Sequence, residues 1–322
     1  MTQERILVTG GAGFIGSHLV ERLLQDGHAV TIIDDCSTGS LNNLRAAASH
    51  SQLRVIQVKV SECRELRQVV TQTDFIFHLA ASVGVELVVH SPIRTIQTNL
   101  RESEVILEAA GERGVPLLLA STSEVYGKSQ KPAFSEEDDL IIGPPHLGRW
   151  SYACSKLVDE FLALAYAKER GLRVVIVRLF NTVGPRQTGR YGMVLPRFIE
   201  AAKAGRPLKV HGDGRQTRCF CYVKDTVEAL IRLQKCPAAS GEVFNVGGTD
   251  EVSIKELAEL VVKTLNSNSP ISFVPYREAY AEGFEDMLRR KPVVDKLFRT
   301  IQFRPSTRLK EIVELTADSM VL

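Results

Sequence analysis

Apolar and polar positions along the first half of the chain form blocks that predict strands and helices in alternation. Apolar runs of strand length occupy residues 6–9, 29–33, 53–60, 75–81, 115–120 and 174–179. Between the first two runs, Leu19, Val20, Leu23 and Leu24 recur at the spacing of one helix face. Such regular alternation predicts an α/β fold with a doubly wound parallel sheet and right-handed crossovers.

The regular alternation of strands and helices ends after Phe180. Shorter segments follow, with helices expected at 194–203, 226–233 and 253–265 and strands at 208–211, 219–223, 242–247 and 273–275. This pattern predicts two units, residues 1–180 with the sheet and a smaller α/β unit at 181–322, partly interleaved because some later segments fold back on the sheet.

Three glycines join the first strand to the first helix. Gly10, Gly13 and Gly16 are spaced G-x-x-G-x-x-G, and Phe14 and Ile15 between them begin the helix. Glycine permits a tight turn, close approach of a pyrophosphate to the backbone, and close packing of helix on strand. The phosphates would then lie at the positive end of the helix dipole. The turn predicts a dinucleotide site in a Rossmann domain.

An acid follows the second strand at Asp34, where the dinucleotide pattern places the residue that binds the ribose hydroxyls. Asp34 repels a 2′-phosphate, and no basic residue follows before Arg45, which favours NAD over NADP. The alternative is a solvated acid at a strand end. Thr38 and Gly39 belong to a polar loop expected along the ribose, and the small residues that end the fourth strand would approach the pyrophosphate: Leu79, Ala80 and Ala81.

Composition narrows the class of protein. The 322 residues carry a net charge of +2 without a basic block, so no nucleic-acid partner is expected. No apolar run reaches the ~18 residues of a membrane helix, and the first strand begins too early for a signal peptide. The six cysteines contain no C-x-x-C pair, which favours reduced thiols in a cytoplasmic protein without a zinc site.

Tyr152 and Lys156 form an i, i+4 pair, so both lie on one face of a helix. A lysine ammonium beside a phenol lowers the pKa of the phenol, and a positive nicotinamide adds to this effect. The phenolate can then remove a proton from an alcohol while hydride leaves for the nicotinamide. Y-x-x-x-K alone is a common coincidence, but after a dinucleotide pattern it indicates a dehydrogenase site.

Together these residues resemble the extended short-chain dehydrogenase/reductase family of nucleotide-sugar epimerases, dehydratases and decarboxylases, over essentially the whole chain. The resemblance implies a tetrad of Asn99, Thr122, Tyr152 and Lys156, with Asn99 also at the NAD site and the Thr122 hydroxyl holding the oxygen at sugar C4. It also implies that NAD stays bound through each turnover. Relatives often end the third strand with an acid over the adenine, whereas residues 58–61 here read Val-Lys-Val-Ser.

The branch of the family depends on Thr122-Ser123-Glu124. Nucleoside-diphosphate-glucose 4,6-dehydratases read T-D-E there, and galactose-type epimerases carry no acid at the third position. The overall pattern is most similar to UDP-glucuronate decarboxylases such as UDP-xylose synthases. These share the Thr-Ser-Glu-Val-Tyr-Gly of residues 122–127. The decarboxylase domain of the bacterial enzyme that prepares aminoarabinose for lipid A also matches residues 142–144, Arg149-Trp150 and the run 283–292, which places the family arginine at Arg290.

The resemblance therefore implies oxidation of UDP-glucuronate at C4, decarboxylation, and reduction to UDP-xylose. The 4-keto sugar is a β-keto acid that loses CO2 readily. Arg290 would hold its carboxylate, and Glu124 with a raised pKa would protonate C5. Structural roles for both residues are the alternative.

The loop 187–193 looks epimerase-like, so a UDP-glucuronate or UDP-glucose 4-epimerase remains open. An NAD-binding sensor without catalysis is the more remote alternative.

Further residues are expected around a UDP-sugar. The family segment at residues 216–218 places an arginine on the diphosphate, which is Arg218 here. Four weaker candidates for the substrate pocket are Ser123, Asn181, Arg186 and Lys209. The family commonly pairs through two long helices, expected here at 92–110 and 151–169, so a homodimer is predicted.

Overall fold

The structure, a computed structural model, describes residues 2–82, 91–189, 193–279, 285 and 287–320. The strands are β1 Arg5–Thr9, β2 Ala29–Ile33, β3 Leu53–Ile56, β4 Phe75–His78, β5 Leu117–Thr122, β6 Val174–Leu179, β7 Thr182–Val183, β8 Leu208–His211, β9 Thr217–Cys219, β10 Cys221–Tyr222, β11 Glu242–Val246, β12 Glu251–Ser253 and β13 Ile271–Val274. The described helices are α1 Phe14–Gln25, α2 Leu66–Thr71, α3 Pro92–Arg113, α4 Trp150–Arg170, α5 Val194–Lys203, α6 Val223–Gln234, α7 Ile254–Thr264, α8 Tyr276–Ala279, α9 Asp295–Ile301 and α10 Leu309–Ser319.

A seven-stranded parallel sheet has the order β11-β6-β5-β4-β1-β2-β3. The order reverses direction between β1 and β4, which opens a crevice at the carboxyl ends of these strands. The predicted doubly wound α/β fold is confirmed.

Several strands differ from their expected bounds. β4 ends at His78 rather than at residue 81, and the expected strand 219–223 is divided between β9 and β10, with Val223 already in α6. β3 ends at Ile56 rather than Val60, because its partner β2 ends at Ile33, which lies opposite Ile56. A short 3₁₀ turn at Val60–Glu62 follows. β5 begins and ends two residues later than expected, at Leu117–Thr122, which brings Thr122 to the end of the strand.

Segments after residue 180 join the sheet. β11 pairs with β6, and α6 packs on the same face as α1 in one apolar core that includes Leu19, Val177 and Leu230. A second core lies on the opposite face under α2, α3 and α4, and a third joins α5, α7 and α10 to β8. The division at residue 180 stays a prediction.

None of the described helices combines the length and the apolarity that crossing a lipid bilayer requires.

Candidate functional site

The turn from β1 to α1 is as tight as the glycine spacing predicts. Gly10 has φ +74°, in the left-handed region, and Gly13 is the residue that precedes α1. A Cβ at Gly16 would lie 2.1 Å from the carbonyl oxygen of Gly10. The first turn of α1 therefore opens onto the crevice with its backbone N–H groups accessible.

A cavity of about 470 Å³ lies over this turn. It is lined by all the predicted cofactor residues except two, Asn99 and Lys156. The lining members are Gly10, Gly13, Phe14, Ile15, Gly16, Asp34, Thr38, Gly39, Leu79, Ala80, Ala81 and Tyr152. Its size, its glycine-rich base and its acid at the end of β2 fit NAD.

Asp34 is held at the edge of the cavity by two backbone donors. Its Oδ2 accepts from the N–H of Ala12 and its Oδ1 from that of Cys36, both at 2.8 Å. Burial raises the pKa of Asp34, and these two hydrogen bonds act against the rise. Each carboxylate oxygen keeps a lone pair for a ribose hydroxyl.

Asn99 lies behind the cavity. It is 1% exposed, its Oδ1 accepts from the N–H of Ser82 at 2.7 Å, and its Nδ2 donates to Ser155 Oγ at 3.3 Å. It thus ties α3 to the chain after β4 and to α4, which carries Tyr152 and Lys156. In the described structure it positions these residues.

The pKa of Tyr152 is raised, which corrects the expected lowering. Burial and the negative charge of Glu124 raise the pKa of Tyr152, and a hydrogen bond with Thr122 opposes them. Lys156 is 1% exposed, and its Nζ donates to Asp159 Oδ2 at 2.8 Å. Because Asp159 compensates the ammonium, a lower pKa at Tyr152 requires the positive charge of the cofactor.

Glu124 lies between two arginines. Its Oε1 accepts from Arg290 Nη1 at 2.7 Å and its Oε2 from Arg149 Nη2 at 3.1 Å. Arg290 also donates through Nη2 to Ser123 Oγ at 2.8 Å. The side chains of Glu124 and Arg290 are 14% and 13% exposed, so this ion pair is largely withdrawn from water.

The pKa of Glu124 is lowered, which corrects the expectation of a raised value. Burial alone would raise it, but the charges of Arg149, Arg290 and Arg218 outweigh burial. Glu124 is therefore a carboxylate in the described structure, and Arg290 already holds an anion.

Local structure explains how the cluster of Ser123, Glu124, Arg149 and Arg290 forms. Glu124 lies in a 3₁₀ turn, Ser123–Tyr126, and its N–H donates to Thr122 Oγ1 at 3.2 Å. Arg149 immediately precedes α4. Arg290 reaches the cluster from a segment that pairs with Phe134, whose N–H donates to the carbonyl of Lys291 at 2.8 Å.

The remaining substrate candidates separate into two groups. Arg218, 8% exposed, acts on the pKa of Glu124, so it and Ser123 belong to the cluster. Arg186 lines the cofactor cavity and donates to Glu21 Oε1 at 2.6 Å. Asn181 donates to the carbonyl of Cys219, and Lys209 is exposed on β8, outside the lining of the cavity.

Parts of two predicted motifs lie outside the described residues. They are residues 190–192 of the epimerase-like loop and Gly283, Phe284 and Asp286 of the late decarboxylase run.

Three charged residues at the site received no role from the sequence. They are Arg149, Asp159 and Glu102, which lines the cofactor cavity. Asp159 and Glu102 follow Lys156 and Asn99 by three positions, a spacing that places each on the same helix face as its neighbour. This spacing was the sequence signal for Asp159 and Glu102. For Arg149 the only signal was its position next to Trp150.

Comparison with known proteins agrees with this geometry. The chain is 43% identical over 321 residues to the UDP-N-acetyl-alpha-D-glucosaminuronate decarboxylase of Bacillus cytotoxicus, with 97% of each chain covered. It is 37% identical over 310 residues to UDP-glucuronic acid decarboxylase 1 of Xenopus tropicalis, covering 96% of this chain and 70% of that protein. The crystal structure of UDP-glucuronic acid 4-epimerase from Bacillus cereus, with UDP-glucuronic acid and NAD, superposes with a TM-score of 0.87 at 28% identity over 98% of both chains.

The predicted relation to nucleotide-sugar enzymes and the predicted use of NAD are confirmed. Residues 6–247 match the model of one family, and that stretch contains the glycine turn, Asp34, Tyr152 and Lys156. The chain belongs to the NAD dependent epimerase/dehydratase family.

Proposed function

We propose that this enzyme decarboxylates a UDP-hexuronate, UDP-glucuronate first of all, and releases UDP-xylose. The observation that carries the proposal is the pairing of Glu124 with Arg149 and Arg290 beside Thr122. Two guanidinium groups around one carboxylate can accept a substrate carboxylate in exchange, since arginine binds carboxylates through paired donors. The names of the relatives from Bacillus cytotoxicus and Xenopus tropicalis support the same reaction.

The first step oxidises C4. Held over the glycine turn and Asp34, NAD would supply a hydride acceptor for C4 and, after decarboxylation, the hydride that reduces the C4 ketone; Tyr152 would return the proton to the C4 oxygen at that point. Tyr152 removes the proton of the C4 hydroxyl, and Thr122 holds the same oxygen through its hydroxyl. Thr122 Oγ1 accepts from the N–H of Glu124 and shares a hydrogen bond with Tyr152, which brings the two hydroxyls side by side for one sugar oxygen.

The second step uses the cluster. The substrate carboxylate takes Arg290 from Glu124, so Glu124 loses the cation at 2.7 Å and stays buried. Burial is then opposed only by the charges of Arg149 and Arg218, so the pKa of Glu124 rises and Glu124 can take up a proton. Loss of CO2 from the β-keto acid leaves an enolate across C4 and C5, and the protonated Glu124 supplies the proton to C5. The acid role expected from the sequence thus belongs to the complex with substrate.

The nucleotide end of the substrate is assigned to Arg218. Arg218 is buried, its charge contributes to lowering the pKa of Glu124, and no step at the sugar uses it. A planar, permanently charged guanidinium suits a diphosphate.

The test is to incubate the purified enzyme with UDP-glucuronate and NAD and to record mass spectra of the product. A UDP-pentose formed by loss of CO2 is expected. An unchanged mass with a new chromatographic peak would identify a 4-epimerase instead and contradict the proposal. Tyr152→Phe should abolish both outcomes, and Arg290→Lys should slow decarboxylation by at least about tenfold because the paired donors are lost.

A second substrate is favoured by one observation. The 43% identical relative is named for a uronate that carries an N-acetyl group. The same mass experiment with UDP-N-acetylglucosaminuronate, in competition with UDP-glucuronate, decides which sugar has the larger kcat/KM.

We also propose a homodimer that pairs through α3 and α4. These helices pack on one another and expose Ile93, Val158 and Phe161, whose exposed fractions are 72%, 45% and 67%. Such apolar side chains on two long helices suit a four-helix contact with a second copy.

We also propose that the enzyme is located in the cytoplasm. All six cysteines are free, and Cys219 and Cys221 are buried as thiols. This state is typical of proteins in a reducing compartment.

A further inference from the structure

A buried acid of α3 lines the cofactor cavity beside the turn that follows β3. Glu102 on α3 is 4% exposed and lines the cavity together with Val58, Lys59 and Val60. Its Oε2 accepts from the N–H of Ser61 at 3.0 Å, and its Oε1 accepts from Ser61 Oγ at 2.5 Å. The carboxylate is thereby fixed against the turn that follows β3.

The sheet order identifies which part of NAD reaches Glu102. Tyr152 lies on α4, which packs on β5 and β6, whereas β3 is the outer strand next to β2. A ribose bound by Asp34, at the end of β2, therefore has its base directed towards the end of β3. The space between that turn and α3 is the adenine side of the cavity.

Adenine presents an exocyclic amine, which needs a hydrogen-bond acceptor. Residues 58–61, where relatives often carry an acid, contain none in this chain; Lys59 among them is a donor, and its Nζ is paired with Glu62 Oε1 at 2.8 Å. The carboxylate of Glu102 accepts one bond on each oxygen from Ser61. Each oxygen has a second lone pair, so the carboxylate can accept the amine as well.

We propose that Glu102 recognises the adenine of NAD by accepting a hydrogen bond from its exocyclic amine, so that α3 supplies the acid that the end of β3 lacks. The inference concerns the cofactor and is independent of the sugar and of decarboxylation.

The competing explanation is structural. Glu102 could serve only to hold the Val60–Glu62 turn through Ser61, in which case the identity of the base would not matter to it. A cofactor with a changed base separates the two explanations. Nicotinamide hypoxanthine dinucleotide carries a carbonyl oxygen in place of the amine, and a carboxylate repels that oxygen.

The experiment is a binding competition. The purified enzyme is incubated with equal concentrations of NAD and nicotinamide hypoxanthine dinucleotide, in excess over any nucleotide it carries, until the bound ratio is constant. The desalted protein is unfolded with acid, and the released dinucleotides are quantified by chromatography. We expect a preference for NAD of at least about tenfold, as for a hydrogen bond to a charged group.

Two variants complete the design. Glu102→Gln retains an acceptor for Ser61 but can turn its amide donor towards the carbonyl, so the preference should fall below about threefold. Glu108→Gln, on the same helix as Glu102 with a side chain 52% exposed, should keep the wild-type ratio.

Either of two results would overturn the inference. One is equal binding of both dinucleotides by the wild-type enzyme, which needs no variant to fold. The other is an unchanged ratio in Glu102→Gln.

Discussion

At Glu124, one buried carboxylate pairs with two arginines, Arg290 and Arg149. Removing one partner of a buried ion pair leaves uncompensated charge and costs about 3–5 kcal/mol. The cluster therefore links the stability of the resting enzyme to the residues proposed to bind the substrate carboxylate. Its contribution must also depend on pH, because Glu124 binds a proton less readily when the protein is folded.

Glu124→Gln tests this link. The folded pKa lies below the usual value of 4.5, so the pairing stabilises the protein fully above that pH and is lost as the pH falls through the folded pKa. We expect Glu124→Gln to lower the free energy of unfolding by about 3–5 kcal/mol at pH 7, with the difference shrinking below pH 4.5. Urea unfolding at several pH values measures it.

The matched control is Glu104→Gln. Glu104 pairs with Arg101 on the surface, where its side chain is 56% exposed. The substitution should therefore lower the free energy of unfolding by less than about 1 kcal/mol. If the difference in free energy of unfolding between the wild type and Glu124→Gln does not change with pH, the assignment of a lowered pKa to Glu124 is contradicted.

Asp159 sets the electrostatics of Lys156. Its negative charge compensates the ammonium and contributes to raising the pKa of Tyr152. Asp159→Asn keeps the shape of the side chain and removes that charge, so the pH at which kcat/KM reaches half its plateau on the acid side should move lower. Glu169→Gln, exposed on the same helix, should leave the profile unchanged.

A lower activity of Asp159→Asn with an unmoved pH profile would mean that the residue has a structural role only. The variant should also lose stability, since Lys156 would remain buried beside a neutral amide.

The turn between β1 and α1 is the element on which cofactor binding depends. Gly16 has no room for a Cβ, since that atom would lie 2.1 Å from the carbonyl oxygen of Gly10. Gly16→Ala forces the helix away from the strand, as in other overpacked sites that lose about 1–3 kcal/mol. We expect the amount of NAD bound per protein to fall by at least about tenfold.

Gly148→Ala is the control, because a Cβ at Gly148 would meet no atom within 4 Å. Bound NAD is measured after acid release, and the midpoint of urea unfolding is measured beside it. Wild-type NAD content in Gly16→Ala would refute the close packing of this turn.

At the scale of the whole molecule, the late part of the chain completes the site. Asn245 on β11 is fully buried, accepts from the Tyr126 hydroxyl at 2.7 Å and donates to the carbonyl of Phe134 at 2.9 Å. Phe134 in turn pairs with the segment that carries Arg290. Strand β11 therefore supports both the sheet and the cluster.

The proposed dimer gives a prediction at the same scale. Phe161→Glu places a charge in the α3–α4 surface, and we expect the enzyme to become monomeric in light scattering after gel filtration. Phe273→Glu, on β13 with Phe273 52% exposed, should keep the assembly of the wild type. A wild-type enzyme that is itself a monomer would refute the dimer.

Local signals in the sequence determined the nucleotide half of this protein. The alternation of strands and helices, the spacing of Gly10, Gly13 and Gly16, and Asp34 after β2 depend on neighbours close in the chain. Periodicity and backbone freedom express such constraints directly. The doubly wound sheet and the residues that line the cofactor cavity could therefore be predicted.

Only the tertiary structure decided the charges at the site. Glu124 and Arg290 are 166 residues apart, and the charges of Arg149 and Arg290 beside Glu124 reversed the expected direction of its pKa. The contacts of Asp159 and Glu102 became apparent only from their burial in the folded protein. A pKa depends on every charge within a few ångströms and on access to water, and both are fixed when distant segments pack together, which no local pattern records.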